Sequence, residues 1–347
     1  MQPGPKTPTT ALVLETNNLA GGRGDPDGVE HSLARLLGHL RAQTRPLASL
    51  DEIVVVHTGI AAAAQARLRD AAAADAAVEC PPRFVAIAAD ADYYAAKDAG
   101  FAATRADVVA FADADCWPDA GWLEALLRPF ADGDVQAVAG RTTYRDGVFG
   151  AAATAIDFMY FASPLGAGCT RNFYANNVAF RREVLESGGY GAHDFYRGSC
   201  QVLGLALQAR GIAVRFAPGA HTIHRLPDSM ADLLRLRLLR GADAVELAPH
   251  LARAYLPRGA RWLARMGPLS GLVVLAVRCA CSLIALRQQR QAAVRGPRWF
   301  AGAALVAALH AADATGAVIR GLRLGLAAPA RRSTALAYHE NVDRLAA

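Results

Sequence analysis

Short apolar runs alternate with helical spacings along the first third of the chain. Ala11–Glu15 (ALVLE) reads as a buried strand, and beyond it Val29, Leu33, Leu36, Leu37 and Leu40 recur on one face of a helix. Glu52–His57 (EIVVVH) is a second strand by its β-branched run, and the alanine-rich Ala61–Ala77 a second helix. Arg83–Ala88, a helix near Tyr93–Thr104, and Asp107–Ala112 (DVVAFA) supply a third strand, its crossover and a fourth strand. This alternation predicts βαβ units, hence an α/β fold with a mostly parallel sheet and helices on both faces. From Gln136 the pattern is less regular. QAVAGRTTYR reads as a strand, Asn176–Gly191 as strand, short helix and glycine turn, and Ser199–Pro218 as a helix stopped by Gly211 and followed by a strand.

Past Pro268 the periodicity gives way to continuous apolar sequence. Leu269–Leu286 is interrupted only by Arg278, and Trp299–Ile319 only by His310 and Asp313. Each is near the roughly 20 residues that a helix needs to cross a bilayer. Buried or interfacial helices satisfy the same pattern, and the three ionisable residues add weight to that alternative. The intervening RQQRQAAVRGPR would lie outside if the segments crossed as a hairpin behind a cytoplasmic N-terminal part, against the positive-inside tendency.

Charge divides the chain in the same place. Its 347 residues carry +6 overall, but residues 1–230 hold 20 basic and 25 acidic side chains, and residues 231–347 hold 17 and 6. A net +6 alone would suggest nucleic acid; concentrated in the apolar part, it points to an anionic membrane surface instead. With 53% hydrophobic residues the chain is not disordered as a whole, although residues 1–10, rich in Pro and Thr, read as a disordered start. The six cysteines show no metal-ligand spacing and read as reduced intracellular thiols. The N-terminal stretch lacks the pattern of a signal peptide, so the acidic part is expected in the cytoplasm, on that face of a membrane.

The sharpest candidate chemistry is where the fourth strand ends, at Asp113-Ala114-Asp115. Carboxylates at i and i+2 leave an extended chain on the same side, and ligands of open α/β sheets bind beyond the carboxyl ends of the strands. Such a pair suits Mg²⁺ or Mn²⁺, hard cations that share oxygen ligands with substrate phosphates.

Around this point the sequence resembles the family 2 glycosyltransferases, which have a nucleotide-sugar-binding, Rossmann-like GT-A fold. Four blocks carry the resemblance, in the family's order, over about Ala11–Arg240: LVLETNNL, YYAAKDAGFAATRADVVAFADADCWPDAGWLE, NNVAFRREVLESGGYG and IAVRFAPGAHTIHRLPDS. The resemblance implies that Asp113 and Asp115, with His224 as a further metal or phosphate contact, hold Mn²⁺ or Mg²⁺ under the diphosphate of a nucleotide-sugar donor. It places Lys97 near the donor phosphates, Thr16 in the turn after the first strand, and Arg237 and Arg240, at i and i+3 of a helix, toward the diphosphate or toward a membrane. Lys97 as a surface lysine and His224 as a plain strand-end histidine are the alternatives.

Two departures stand out. The second strand ends His57-Thr58-Gly59 where the family has Asp-Asp-Gly-Ser, so His57 stands at the position of the acid that reads the nucleobase. Glu15 is either a substitute acceptor for a base N–H or an ordinary polar strand end. Ser199-Cys200 fall where the family's Glu-Asp pair supplies the base that deprotonates the acceptor hydroxyl. The nearest carboxylate is Asp194, beside His193, and Ser199 reads as a helix N-cap.

The expected organisation is a disordered 1–10, a GT-A domain over 11–240 (nucleotide half 11–135, acceptor half 136–240), and a basic membrane-associated helical region over 241–347. The expected activity is metal-dependent, inverting sugar transfer to a lipid-linked, polysaccharide or membrane-proximal hydroxyl acceptor. The alternatives are a membrane-tethered protein of the same fold that binds nucleotide or partners without transfer, and nucleotidyl transfer, of which NNLAGGRG (Asn17–Gly24) is a loose echo.

Overall fold

The structure is a computed structural model that describes residues 7–16, 26–73, 81–191, 193, 196–266, 268–289 and 294–326. Its first half is the anticipated alternation: β1 (Thr10–Glu15), α1 (Pro26–Arg41), β2 (Glu52–His57), α2 (Ala62–Ala73), β3 (Arg83–Ala86), α3 (Tyr93–Ala103) and β4 (Val108–Asp113). The apolar face read from α1 is the buried one, with Leu33, Leu36, Leu37 and Leu40 at 0–1% exposure. The second half runs β5 (Cys116–Pro118), α4 (Trp122–Leu127), β6 (Ala137–Thr143), α5 (Val148–Asp157), β7 (Cys169–Thr170), β8 (Asn177–Arg181), α6 (Arg182–Glu186), α7 (Ser199–Ala209) and β9 (Val214–His224).

All these strands join one mixed sheet in the order β3-β2-β1-β4-β8-β6-β9-β5, with β7 beside β9. The β3-β2-β1-β4 half is parallel, whereas β8 pairs antiparallel with both β4 and β6. Parallel strands need crossovers, and β4 is the last strand before that change of direction, so its carboxyl end faces a crevice. Apolar side chains on the two faces of the sheet form separate cores. One holds Leu12, Leu14, Val55 and Trp122, the other Val13, Val56, Phe111 and Phe180.

Three long helices follow: α8 (Met230–Tyr255), α9 (Pro268–Gln288) and α10 (Arg298–Leu326). The expected boundary at residue 240 falls inside α8, which runs unbroken from the sheet domain into the C-terminal part. The apolar helices pack on that domain: Val306 and Leu309 of α10 and Leu286 of α9 share a core with Ala151, Ala152, Ala155 and Ile156 of α5. Where α8 and α10 meet, their backbones touch. A Cβ on Gly241 would overlap the carbonyl of Asp313, and one on Gly316 the carbonyl of Leu238. Gly241→Ala is therefore expected to force the helices apart at a cost of about 1–3 kcal/mol, read as a lower urea midpoint. An unchanged midpoint would show that the crossing carries no stability.

A buried ionic chain reinforces that crossing. Asp157, at the end of α5, accepts from Arg237 and Arg240 at 2.6 Å each and from the Tyr144 hydroxyl at 3.0 Å. Asp313 lies 3.6 Å from Arg237 and 3.2 Å from His310, whose other ring nitrogen is 3.0 Å from Ser282 of α9. Burial alone would raise the Asp157 carboxyl, but the two guanidinium groups overcome it and bring its pKa down to about 2. The resulting stability is present above the ordinary aspartate range and lost as pH falls toward about 2.

Candidate active site

A cavity of about 300 Å³ opens beyond the carboxyl end of β4, closed on one side by α8. Asp113 and Asp115 both line it, yet they face different partners. Asp113 is the last strand residue and 1% exposed; its Oδ1 accepts from Lys97 Nζ at 2.6 Å and its Oδ2 from the Tyr93 hydroxyl at 2.8 Å. Asp115 lies past the strand end, in a turn, so the same-side rule for an extended chain does not carry through to it. Its carboxylate is directed to His224 at the end of β9, with Oδ2 3.6 Å from Nε2. Pairing of Cys116 with His224 between β5 and β9 sets that approach.

Each Asp113 oxygen already accepts one buried donor, from Lys97 and from Tyr93, so Asp115 with His224 is the pair better placed for a cation. His224 Nδ1 is 2.7 Å from the Arg225 carbonyl, to which it donates, so Nε2 is the ring nitrogen that a cation beside Asp115 would meet. Cys116 Sγ lies close enough to complete a cluster with these two. Burial and the neighbouring carboxylates push its thiol far up, and soft sulfur is a poor ligand for a hard cation. One carboxylate oxygen and one imidazole nitrogen, open to a cavity where phosphate oxygens could join them, fit Mn²⁺ or Mg²⁺.

Several other candidates are held in contacts of their own. Lys97 is 0% exposed, and its ammonium is held on Asp113. Glu15 stands opposite Asp113 in the register of β1 and β4. Burial and the charge of Asp113 push its pKa well up, which favours the neutral acid, and its side chain is fully buried. The Thr16 hydroxyl donates to the Val56 carbonyl, and His57 Nδ1 accepts from the Ile60 N–H, closing the turn after β2. Among the described residues none of Glu15, Thr16, His57 and Lys97 lines the cavity. Arg237 is 1% exposed inside the ionic chain; of the arginine pair only Arg240 lines the cavity, while also holding Asp157. A spacing of i, i+3 puts two side chains near one face, but it does not say which of them is enclosed.

Asp194 lies outside the described residues. Ser199 is the first residue of α7 rather than its cap, the cap position being Gly198. Cys200 is buried and receives the Tyr94 hydroxyl at 3.4 Å, and burial pushes its thiol up, so it does not replace a carboxylate base. A carboxylate comes to this place from another element. Asp243 of α8 accepts the backbone N–H groups of Tyr196 and Arg197, both at 2.7 Å, and lines the cavity. Burial raises its pKa to about 6, against the lowering effect of those N–H groups and of Arg240 and Arg197. A signal for it exists in the sequence: Asp232, Leu236, Leu239, Arg240 and Asp243 follow i, i+4, i+7, i+8, i+11, and all five line the cavity.

Comparison with known proteins bears on the fold that carries this cavity. Residues 28–189 match the model of glycosyl transferase family 2. A mannosyltransferase from Pyrobaculum calidifontis, solved with GDP-Man and Mn²⁺, superposes with a TM-score of 0.58 at 16% identity, over 92% of this chain and 88% of that one. At that identity the likeness speaks for the fold. Glucosyl-3-phosphoglycerate synthase from Mycobacterium tuberculosis, in complex with phosphoglyceric acid, aligns over 74% of this chain and 87% of its own, with 19% identity and a TM-score of 0.46. No curated protein matches the sequence. Residues 28–189 thus carry a match to glycosyl transferase family 2, on a sheet whose fold is shared with that mannosyltransferase.

Proposed function

We propose that the chain transfers a sugar, with inversion and with a divalent cation, from a nucleotide-sugar donor to a hydroxyl of a lipid-linked or membrane-proximal acceptor. The observation that carries the proposal is the convergence of Asp115 and His224 on the cavity beyond β4. When bound there, Mn²⁺ or Mg²⁺ would neutralise the donor diphosphate and stabilise it as a leaving group. Arg240 and Arg197 add positive charge to the same cavity, suited to anionic oxygens.

The acceptor oxygen forms a bond to the anomeric carbon as the bond from that carbon to the diphosphate breaks, and the hydroxyl proton must go to a base. Asp194 and Asp243 are the two carboxylates proposed for it, and the place of Asp243 on the cavity wall supports the second. It is buried at the cavity wall, and its raised pKa leaves it mostly ionised yet basic at neutral pH. The reading that the protein binds nucleotide without transfer rests on Ser199-Cys200, and Asp243 answers the departure on which it depends.

A panel of GDP- and UDP-sugars incubated with the protein and Mn²⁺ tests the proposal. Donor is expected to be consumed, consumption to stop with EDTA, and excess Mn²⁺ or Mg²⁺ to restore it. Metal-dependent nucleotide binding without turnover would favour the binding-only reading, and turnover unaffected by EDTA would remove the cation from the proposal.

A further inference from the structure

The outer faces of α9 and α10 carry two uncharged stripes. On α9, Leu269, Val273, Ala276, Val277, Ala280 and Ile284 are exposed and recur along one side over roughly 22 Å. On α10, exposed positions run from Phe300 through Ala304, Ala308, Ala311 and Thr315 to Ile319 and Leu322, roughly 33 Å. Phe300 is 70% exposed, and Val273, Val277, Ile284 and Leu322 are each 57–59% exposed. Arg278, the one charged residue within the apolar run of α9, lines the active-site cavity instead of this stripe. Adjacent stripes of this length on a water-facing surface mark an interaction face.

The surrounding charge says what covers it. Between Leu247 and Ala312 the sequence holds nine arginines and no aspartate or glutamate. Arg287 and Arg298 stand exposed near the ends of the stripes. Apolar stripes edged by arginine match the boundary between acyl chains and anionic headgroups.

Both helices are long and apolar enough to cross a bilayer. Their inner faces, however, are fastened to the catalytic domain along their length. In α10, Val306 and Leu309 pack on α5, Asp313 approaches Arg237, Ala317 packs with Ala244 and Val245, and Arg320 pairs with Glu246 at 2.6 Å. In α9, Leu275 packs with Val245, the Ser282 hydroxyl approaches Met159 Sδ at 3.6 Å, and Gln289 donates to the Ala151 carbonyl at 2.9 Å. A helix crossing a membrane must leave the domain at one end, and these helices do not. Spanning would also carry Arg237, Asp157 and the cavity wall on α8 to bilayer depth, where a nucleotide-sugar has no aqueous route.

We propose that α9 and α10 form a one-sided docking platform, lying in the plane of an anionic leaflet and sinking their outer stripes into it without crossing. The inference rests on the membrane reading of the proposed function and specifies its geometry.

The test uses the full chain with sealed vesicles of phosphatidylcholine alone or mixed with phosphatidylglycerol. Flotation is expected to recover the protein with the anionic vesicles, and Val273→Asp with Val277→Asp to lower the bound fraction at least about tenfold, since each valine loses its burial in lipid. A protease site inserted beside Gly296 should be cut from the same side as the catalytic domain. Protection of that site, with the domain accessible, would establish a spanning hairpin and overturn the proposal. Equal binding to both lipid mixtures, or undiminished binding of the double variant, would overturn it as well. Donor hydrolysis in the same samples keeps the two readings apart, because active protein that ignores vesicles refutes docking alone.

Discussion

Asp115→Asn is expected to lower kcat for donor turnover by about 10²–10³-fold, the scale of removing one preorganised group that meets developing charge. It should also abolish Mn²⁺ binding measured by calorimetry, while the urea midpoint stays near wild type. Asp113→Asn, two residues away, should behave in the opposite sense. It leaves the fully buried Lys97 ammonium without its carboxylate partner, which costs about 3–5 kcal/mol of stability. The contrast follows from the two side chains parting company at the end of β4, one toward α3 and one toward His224. Unchanged activity and metal binding in Asp115→Asn would remove the metal site from the proposed position.

Asp243→Asn is expected to lower kcat/KM by about 10²–10⁴-fold, the usual contribution of a positioned general base. The pH profile separates that role from simple support of the Tyr196–Arg197 backbone. A base acts when ionised, so wild-type kcat/KM should fall below a pKa near 6 and level off above it. In Asp243→Asn that acidic limb should disappear along with the rate. A residual rate that keeps the limb would make Asp243 a positioning residue and return Asp194 to first place, with Asp194→Asn then showing the flat profile.

Much of the scaffold was legible because short β-branched runs and a 3.6-residue period are local properties. The strands β1, β2 and β4, the face of α1 and the placing of Asp113 and Asp115 at a strand end all came from such patterns. The roles within the site were less legible, since they depend on contacts between distant segments. Lys97 reads as a free cation until Asp113, 16 residues on, is folded against it. Asp243 lies 46 and 47 residues beyond the backbone groups it accepts, in a helix that drew attention only for Arg237 and Arg240. The apolar content of α9 and α10 was plain, but their partners on α5 and α8 come from distant segments that no local pattern names.

The Asp157 cluster bears on how such a protein can be handled and how it can change. One carboxylate joins the sheet domain to α8, and Arg237 passes the connection on to α10. Cutting the chain before α9 to obtain a soluble enzyme would uncover the apolar side of α5 and strip Arg237 of one of its two anions. The C-terminal helices are thus no detachable tether that could be exchanged between relatives as a module. A lineage that lost them would have to rebuild the wall of its own active site.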